Sequence, residues 1–540
     1  MLILPLMAVV ITGCLNHSWN KPKQPEKDFH RMEARSGRPV IWLMVDSLMA
    51  PGMDQGMKKG ELPALSFLIR NGIYQKEAVN VFPTMSVSID ASLLTGEYPD
   101  RHGVPGLIWY DTKEQRLVNY GTGLMEVVRG GVNPALMDTA RNLNQQHLNR
   151  EAKTLYEELG ERGFTTGNVN GMIYRGHTDH TLTFQKWISA TTALPERMNV
   201  KGPDFLALGA FANPLKGLRS LPDSVASSFG MNNRYSVETA KVLAKKNRLP
   251  DFMFVYLPDL DKPIHAEGPG KSEMKELKKL DRQIGELMNS FGSWEEALKH
   301  AVWIVSGDSG STPVLASNED PVVPLDRLLG DFELLEAGKT PGEKTEVVLA
   351  VNERSAFVYS LKEDIRLEWL AESLQKDRRI DVIAWSDPEG WIHVRNAALG
   401  EKEMRYRKGD EWTDVYGQRW QLDGDPDVLD LAVQPRGGRL SYGDFPDALA
   451  RLEASLHSHP GRFLIVNARP GYELADKHSP THKGGAGHGS LHRIDSVFPV
   501  VIAGTDRRPK HWRIVDFKPF VLELLESGKK KPDIKEPAQM

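Results

Sequence analysis

Cysteine is almost absent. With Cys14 alone in a chain of 540 residues, no intrachain disulfide can form. Stability must therefore come from a buried core, which a chain of this length can supply. Excess charge of one sign is lacking too. A net charge of −4 excludes the basic field of a nucleic-acid-binding protein and a polyacidic tail as organising features, and no stable nucleic-acid partner is expected. The apolar run from Met1 to Thr12 is too short for an ordinary membrane span and has the length of a signal-peptide apolar segment.

The lone cysteine comes directly after that run. Ile11-Thr12-Gly13-Cys14 resembles a bacterial lipobox, in which cleavage precedes a cysteine that then carries lipid. No Lys or Arg precedes the run. Residues 1–14 are thus expected to be a lipoprotein signal peptide and lipobox, with lipidated Cys14 as the membrane partner in an extracytoplasmic, bacterial envelope setting. The plainer reading is a buried N-terminal strand with an ordinary cysteine. Residues 15–38 are polar and read as a tether.

Beyond the tether, short apolar runs recur at Val40–Val45, Phe252–Leu257, Val302–Val305, Phe463–Val466 and Val497–Ala503. Continuous runs of this length predict buried parallel strands. Between them, Met274, Leu277, Leu280, Ile284, Leu287, Met288 and Phe291 fall at helical spacing on one face. The alternation predicts an α/β sheet with helices on both sides. Residues 39–346 and 458–525 are assigned to this main domain, and the turn-rich stretch 347–457 to an inserted lobe or cap. Ala356–Ser360 is expected to belong to the main sheet. Asp423, Asp425, Asp427 and Asp430 lack the EF-hand pattern and read as turn residues. Residues 526–540, with Lys529-Lys530-Lys531, read as a solvated tail.

Three runs lead into aspartate: Val40–Val45 into Asp46, Phe252–Leu257 into Asp259 and Asp261, and Val302–Val305 into Asp308, with His265 shortly after Asp261. Strand carboxyl ends face the ligand crevice in open α/β sheets, so these carboxylates can converge. Singly, each would be only a cap or turn residue. Thr84, in Asn80-Val81-Phe82-Pro83-Thr84-Met85-Ser86, lies where a helix begins and Gly96 where it ends. A hydroxyl there is either an N-cap or a group facing the free N–H donors that attract phosphate.

The segments Phe82-Pro83-Thr84, Leu94-Thr95-Gly96-Glu97-Tyr98-Pro99-Asp100-Arg101-His102-Gly103 and Trp109-Tyr110-Asp111 resemble the nucleophile region of the nucleotide pyrophosphatase/phosphodiesterase branch of the alkaline phosphatase superfamily. Asp261-Lys262-Pro263-Ile264-His265-Ala266-Glu267-Gly268-Pro269 is similar to its Asp-x-x-x-His-x-x-Gly-Pro segment, and Gly487-His488-Gly489 to its final histidine. The matches keep the family's order from Val40 to Gly504. The resemblance implies an alkaline-phosphatase-like fold and two divalent metal ions. Asp261, His265 and His488 would hold one, normally zinc; Asp46, Thr84 and Asp308 would hold the other. Thr84 would be the nucleophile in hydrolysis of a phosphodiester or pyrophosphate bond. The substrate would be a small phosphoester or an envelope component.

The chain departs from the pattern twice. Asp308-Ser309-Gly310 stands where the family has Asp-His-Gly, so the second site would favour Mg²⁺ or Mn²⁺, or recruit another imidazole, for which His482 and His492 are nearest in sequence. Leu107 replaces an asparagine that helps hold phosphate. Both departures keep a second reading open, a degenerate non-catalytic surface lipoprotein of the same fold. Gly307-Asp308-Ser309-Gly310 also resembles the serine segment of trypsin-like proteases, but that chemistry needs an all-β context and a separate His and Asp. A sulfatase would need a Cys/Ser-x-Pro-x-Arg segment, which is not found. His177-Thr178-Asp179-His180 reads as a polar loop and His102 as a local structural residue.

Overall fold

The computed structural model describes residues 37–121, 133–192, 194–336 and 338–528, together with 32 and 34. The signal segment and lipobox expected at 1–14, most of the 15–38 tether and the lysine-rich end of the tail lie outside the described residues.

The strands that frame the site are β1 (Val40–Val45), β2 (Gly72–Val79), β3 (Thr166–Val169), β4 (Phe205–Ala207), β5 (Phe252–Leu257), β6 (Val302–Gly307), β7 (Val347–Asn352), β8 (Ser355–Ser360), β9 (Ile380–Ser386), β10 (Phe463–Ala468) and β11 (Val497–Ala503), with continuous apolar runs in β1 and β5. The main sheet has the order β2-β11-β6-β1-β5-β3-β4. From β6 to β4 the strands are parallel. In contrast, β11 runs antiparallel to both its neighbours, which corrects the parallel direction expected for Val497–Ala503. A continuous apolar run reports burial on both faces and is silent on direction.

Five helices matter for the site: α1 (Ser86–Thr95), α2 (Asn233–Lys245), α3 (Asp261–Glu267), α4 (Lys271–Met288) and α5 (Phe517–Gly528). Side chains of β1 alternate between two cores. Ile41, Leu43 and Val45 pack with the buried stripe Met274, Leu277, Leu280, Ile284, Leu287 and Met288 of α4. On the other face, Trp42 and Met44 meet α1 and α5. Helices thus cover both faces of the sheet.

A second sheet contains β7-β8-β10-β9 in that order and continues through Ile392–Asn396 and Glu403–Thr413. Ala356–Ser360, expected in the main sheet, lies in β8 between β7 and β10. Phe463–Ala468 lies beyond the boundary drawn at 457, yet it is a central antiparallel member of this second sheet. Apolar patterning specifies that a strand is buried, not which sheet it joins. One face of the second sheet, with Phe357, Tyr359, Val382, Ala384 and Ile465, enters the Trp42 core. Its other face closes a separate core against the helix Leu367–Gln375.

Candidate active site

Strand register brings the carboxylates together. Val45 is level with Gly307 on β6 and with Leu257 on β5, so Asp46 and Asp308 leave adjacent strands side by side. Asp261 opens α3 just beyond β5. Ser47 joins the two sides: its N–H donates to Asp308 Oδ1 at 2.9 Å and its Oγ donates to Asp261 Oδ1 at 2.8 Å. The Tyr256 hydroxyl donates to Asp46 Oδ2, while Asp46 Oδ1 is buried with no hydrogen-bond partner. Burial, then the charges of Asp308 and Asp261, push the Asp46 carboxyl well above the ordinary range. An orphaned oxygen among mutually repelling carboxylates fits a bound divalent cation, whose charge would reverse that repulsion.

Thr84 lies in the loop between β2 and α1. It is not the N-cap; Met85 holds that position and α1 starts at Ser86. The fully buried Thr84 accepts a hydrogen bond at Oγ1 from the Gly489 N–H at 2.8 Å. Gly489 has φ 110°, and a Cβ there would lie 2.5 Å from the Asn352 carbonyl oxygen, so only glycine allows this approach. Ser86 Oγ donates to Asp308 Oδ2 at 3.0 Å, and the Asn80 side chain donates to the Asp308 carbonyl. These bonds tie the threonine loop to β6.

Donor atoms of Asp261, His265 and His488 lie within 4.8 Å of one another. His488 Nδ1 is 2.6 Å from the Thr84 carbonyl oxygen. A carbonyl can only accept, so Nδ1 carries the proton and Nε2 keeps its lone pair, the tautomer a metal ligand needs. His265 Nε2 sits 3.0 Å from Asp261 Oδ1. Burial opposes ionisation of Asp261, but His265 and His488 hold its carboxyl below the ordinary range. Burial likewise disfavours the His265 imidazolium, yet Glu353 and Asp261 outweigh it and raise this group to about 10. The carboxylates and imidazoles supply the donor set zinc prefers.

Two further groups line the site: Glu353, unannounced by the sequence, and His482, one of the two histidines expected as substitutes for the missing imidazole. Glu353, in the turn between β7 and β8, accepts the His488 N–H through Oε2 at 3.1 Å. His482 comes in from the loop after Glu473–Ala475 and forms, with His265 and Glu353, a second group whose donors lie within 4.8 Å of one another. His482 therefore stands on the His265 side of the site rather than beside Ser309. The Ser309 Oγ is buried with no hydrogen-bond partner. His492 caps the turn Arg493–Ser496 and packs against Phe445. Leu107 packs against the main core while its N–H is held by Asn352 Oδ1 at 2.8 Å. His177 and His180 bond to the backbone carbonyls of Glu157 and Pro203. Thr178–Thr183 is a strand paired with Arg197–Gly202, not a polar loop. His102 is buried against Ser92 Oγ at 2.8 Å.

A family model described as type I phosphodiesterase / nucleotide pyrophosphatase matches residues 40–448. No curated protein has a matching sequence. The chain is similar to murine ectonucleotide pyrophosphatase / phosphodiesterase 5, solved as an inactive form in complex with AMP, at a TM-score of 0.51 and 13% identity over 91% of this chain and 95% of that one. It is also similar to phosphonoacetate hydrolase from Sinorhizobium meliloti 1021 in complex with phosphonoformate, at a TM-score of 0.54 and 14% identity over 91% and 96% of the two chains. At these identities the likeness carries the fold.

Proposed function

The chain belongs to the type I phosphodiesterase / nucleotide pyrophosphatase family, and from that premise we propose that it cleaves phosphodiester or pyrophosphate bonds with Thr84 as nucleophile. The observation that carries this reading is the buried Thr84 Oγ1, which accepts the Gly489 N–H beside carboxylates linked by Ser47. A hydroxyl oxygen that already accepts from a fixed N–H is oriented, and any negative charge that develops on it is stabilised.

Asp46, Thr84 and Asp308 would hold one divalent cation, and Asp261, His265 and His488 another. Such a pair would lower the pKa of a coordinated hydroxyl and neutralise charge on the phosphoryl oxygens. Thr84 Oγ gives up its proton and forms the bond to phosphorus as the bond from phosphorus to the leaving oxygen breaks, and the leaving oxygen departs with a proton. Water then forms a bond to phosphorus as the bond from phosphorus to Thr84 Oγ breaks, its hydroxyl staying on phosphorus and its other proton returning to Thr84. The imidazole-rich set favours Zn²⁺. The oxygen-only set, with Ser309 in place of an imidazole, suits Mg²⁺ or Mn²⁺.

The test is hydrolysis of bis(p-nitrophenyl) phosphate by the purified protein with Zn²⁺, Mn²⁺ or Mg²⁺ added in turn, beside Thr84→Ala. Metal-dependent turnover that falls to background in Thr84→Ala is expected. Equal turnover in Thr84→Ala would remove the nucleophile assignment. A folded protein inert with every metal would favour the non-catalytic reading that Ser309 and Leu107 raise.

A further inference from the structure

We propose that Glu353 and His482, which lie outside the family segments of this chain, form with His265 a divalent-cation site of the zinc class. It is distinct from the Asp46/Thr84/Asp308 set and shares with the Asp261/His265/His488 set only His265, whose Nε2 faces Asp261 Oδ1 and whose buried Nδ1 has no hydrogen-bond partner. The three residues come from separate places, the helix α3, the β7–β8 turn and the loop after Glu473–Ala475, yet their donors lie within 4.8 Å of one another. Two imidazoles and one carboxylate, with a fourth position left open, are a common zinc ligand set.

Orientation supports the site independently. Glu473 is buried, and it accepts from the His482 backbone N–H at 2.8 and 2.9 Å and contacts His482 Nδ1 at 3.2 Å. A carboxylate accepts, so Nδ1 bears the proton and Nε2 is left as the ligand nitrogen. A carboxylate behind a ligating imidazole is the usual second layer of a zinc site. The rings of His265 and His482 lie with centroids 4.6 Å apart, close enough to share an ion. Glu353, meanwhile, holds φ 56°, a left-handed conformation uncommon for its type. At that turn its carboxylate is directed inward, onto the His488 N–H, instead of outward to solvent.

This placement bears on the missing imidazole at Ser309. The chain does possess an additional imidazole at the site, but on the far side of His265, so the second nitrogen-ligated ion would be displaced away from Asp308.

The site follows from ligand geometry and does not require the phosphoester reading, and its test is likewise a count of metal rather than of turnover. Protein stripped with a chelator would be titrated with Zn²⁺ against a chromophoric chelator, with bound zinc measured by elemental analysis and Co²⁺ spectra recorded in parallel. Wild type, Asp46→Asn, Glu353→Gln, His482→Ala and the milder His482→Gln would be compared, each checked for an unchanged melting midpoint. The expected result is a zinc equivalent beyond the one held by Asp261, His265 and His488, which survives in Asp46→Asn but weakens by about tenfold or more in the Glu353 and His482 variants, with matching loss of the visible Co²⁺ absorption. Unchanged zinc count, affinity and spectrum in those variants would overturn the site and leave only an ion-pair network. Failure of wild type to hydrolyse any phosphoester would count against the function proposed above and leave this result standing.

Discussion

At the scale of single residues, Ser47 carries more than its place in the sequence suggests. It holds φ 58°, a conformation that costs a non-glycine residue roughly 1–3 kcal/mol. In that pose its two donors reach carboxylates on opposite sides of the site. Ser47→Ala keeps the N–H bond to Asp308 but frees Asp261 of its hydroxyl donor. Zinc affinity at the Asp261/His265/His488 set should then fall by about ten- to a hundredfold, read by competition with a chromophoric chelator. An affinity within about twofold of wild type would mean that His265 alone positions Asp261. Asp46, Asp261 and Asp308 were legible as a converging set because each follows an apolar run, and strand ends share one edge. Ser47 was not, since a serine after a strand-end aspartate reads as turn chemistry. Tyr256 lay hidden inside an apolar run, and Glu353 in a turn, where glutamate normally faces water.

At the scale of elements, the β7–β8 turn is the piece of the second sheet that reaches the site, and a buried ion pair fixes it there. Arg354 Nη1 donates to both oxygens of Asp495 at 2.6 and 2.7 Å, with neither side chain exposed. Arg354 also donates to the carbonyls of Tyr472 at 3.0 Å and Ala468 at 3.1 Å. Asp495 in turn accepts from the Ser490 N–H at 2.9 Å, which ties the turn to the loop carrying His488 and Gly489. Removing one charge from such a pair strands the other in the interior. Asp495→Asn should cost about 3–5 kcal/mol, seen as a clear drop in melting midpoint, and the released loop should lower zinc affinity as well. A loss under about 1 kcal/mol would show that the backbone carbonyls satisfy Arg354 without its partner. None of this pairing was visible in the sequence. Apolar runs located β8, β10 and β11, but whether a strand is antiparallel, and to which sheet it belongs, depends on partners far along the chain.

At the scale of the whole molecule, the two sheets share a core, and Asp447 is a buried charge at their junction. Tyr98, just past α1, donates to Asp447 Oδ2 at 2.7 Å; Gln418, from the second sheet's long hairpin, donates to Oδ1 at 2.7 Å; Arg513, after β11, lies 3.6 Å away. The boundary placed at 457 missed this junction because turn-rich composition marks exposed loops, while the packing beneath them leaves no local signature. Burial pushes the Asp447 carboxyl up from 3.8 to about 6, more than Arg513, Tyr98 and Gln418 pull it down. The folded state therefore holds this proton more tightly than the unfolded chain. Its contribution to stability is complete below the unfolded value and is lost as pH rises through the folded one, amounting to about 3 kcal/mol by linkage. Asn tolerates the left-handed φ of 51° at this position and cannot ionise. The melting midpoint of Asp447→Asn minus that of wild type should thus rise steadily from about pH 4 to about pH 7, whatever its sign at the acid end. A difference that stays flat over that range would mean that Asp447 remains ionised in the fold, with Arg513 supplying enough charge to keep it so.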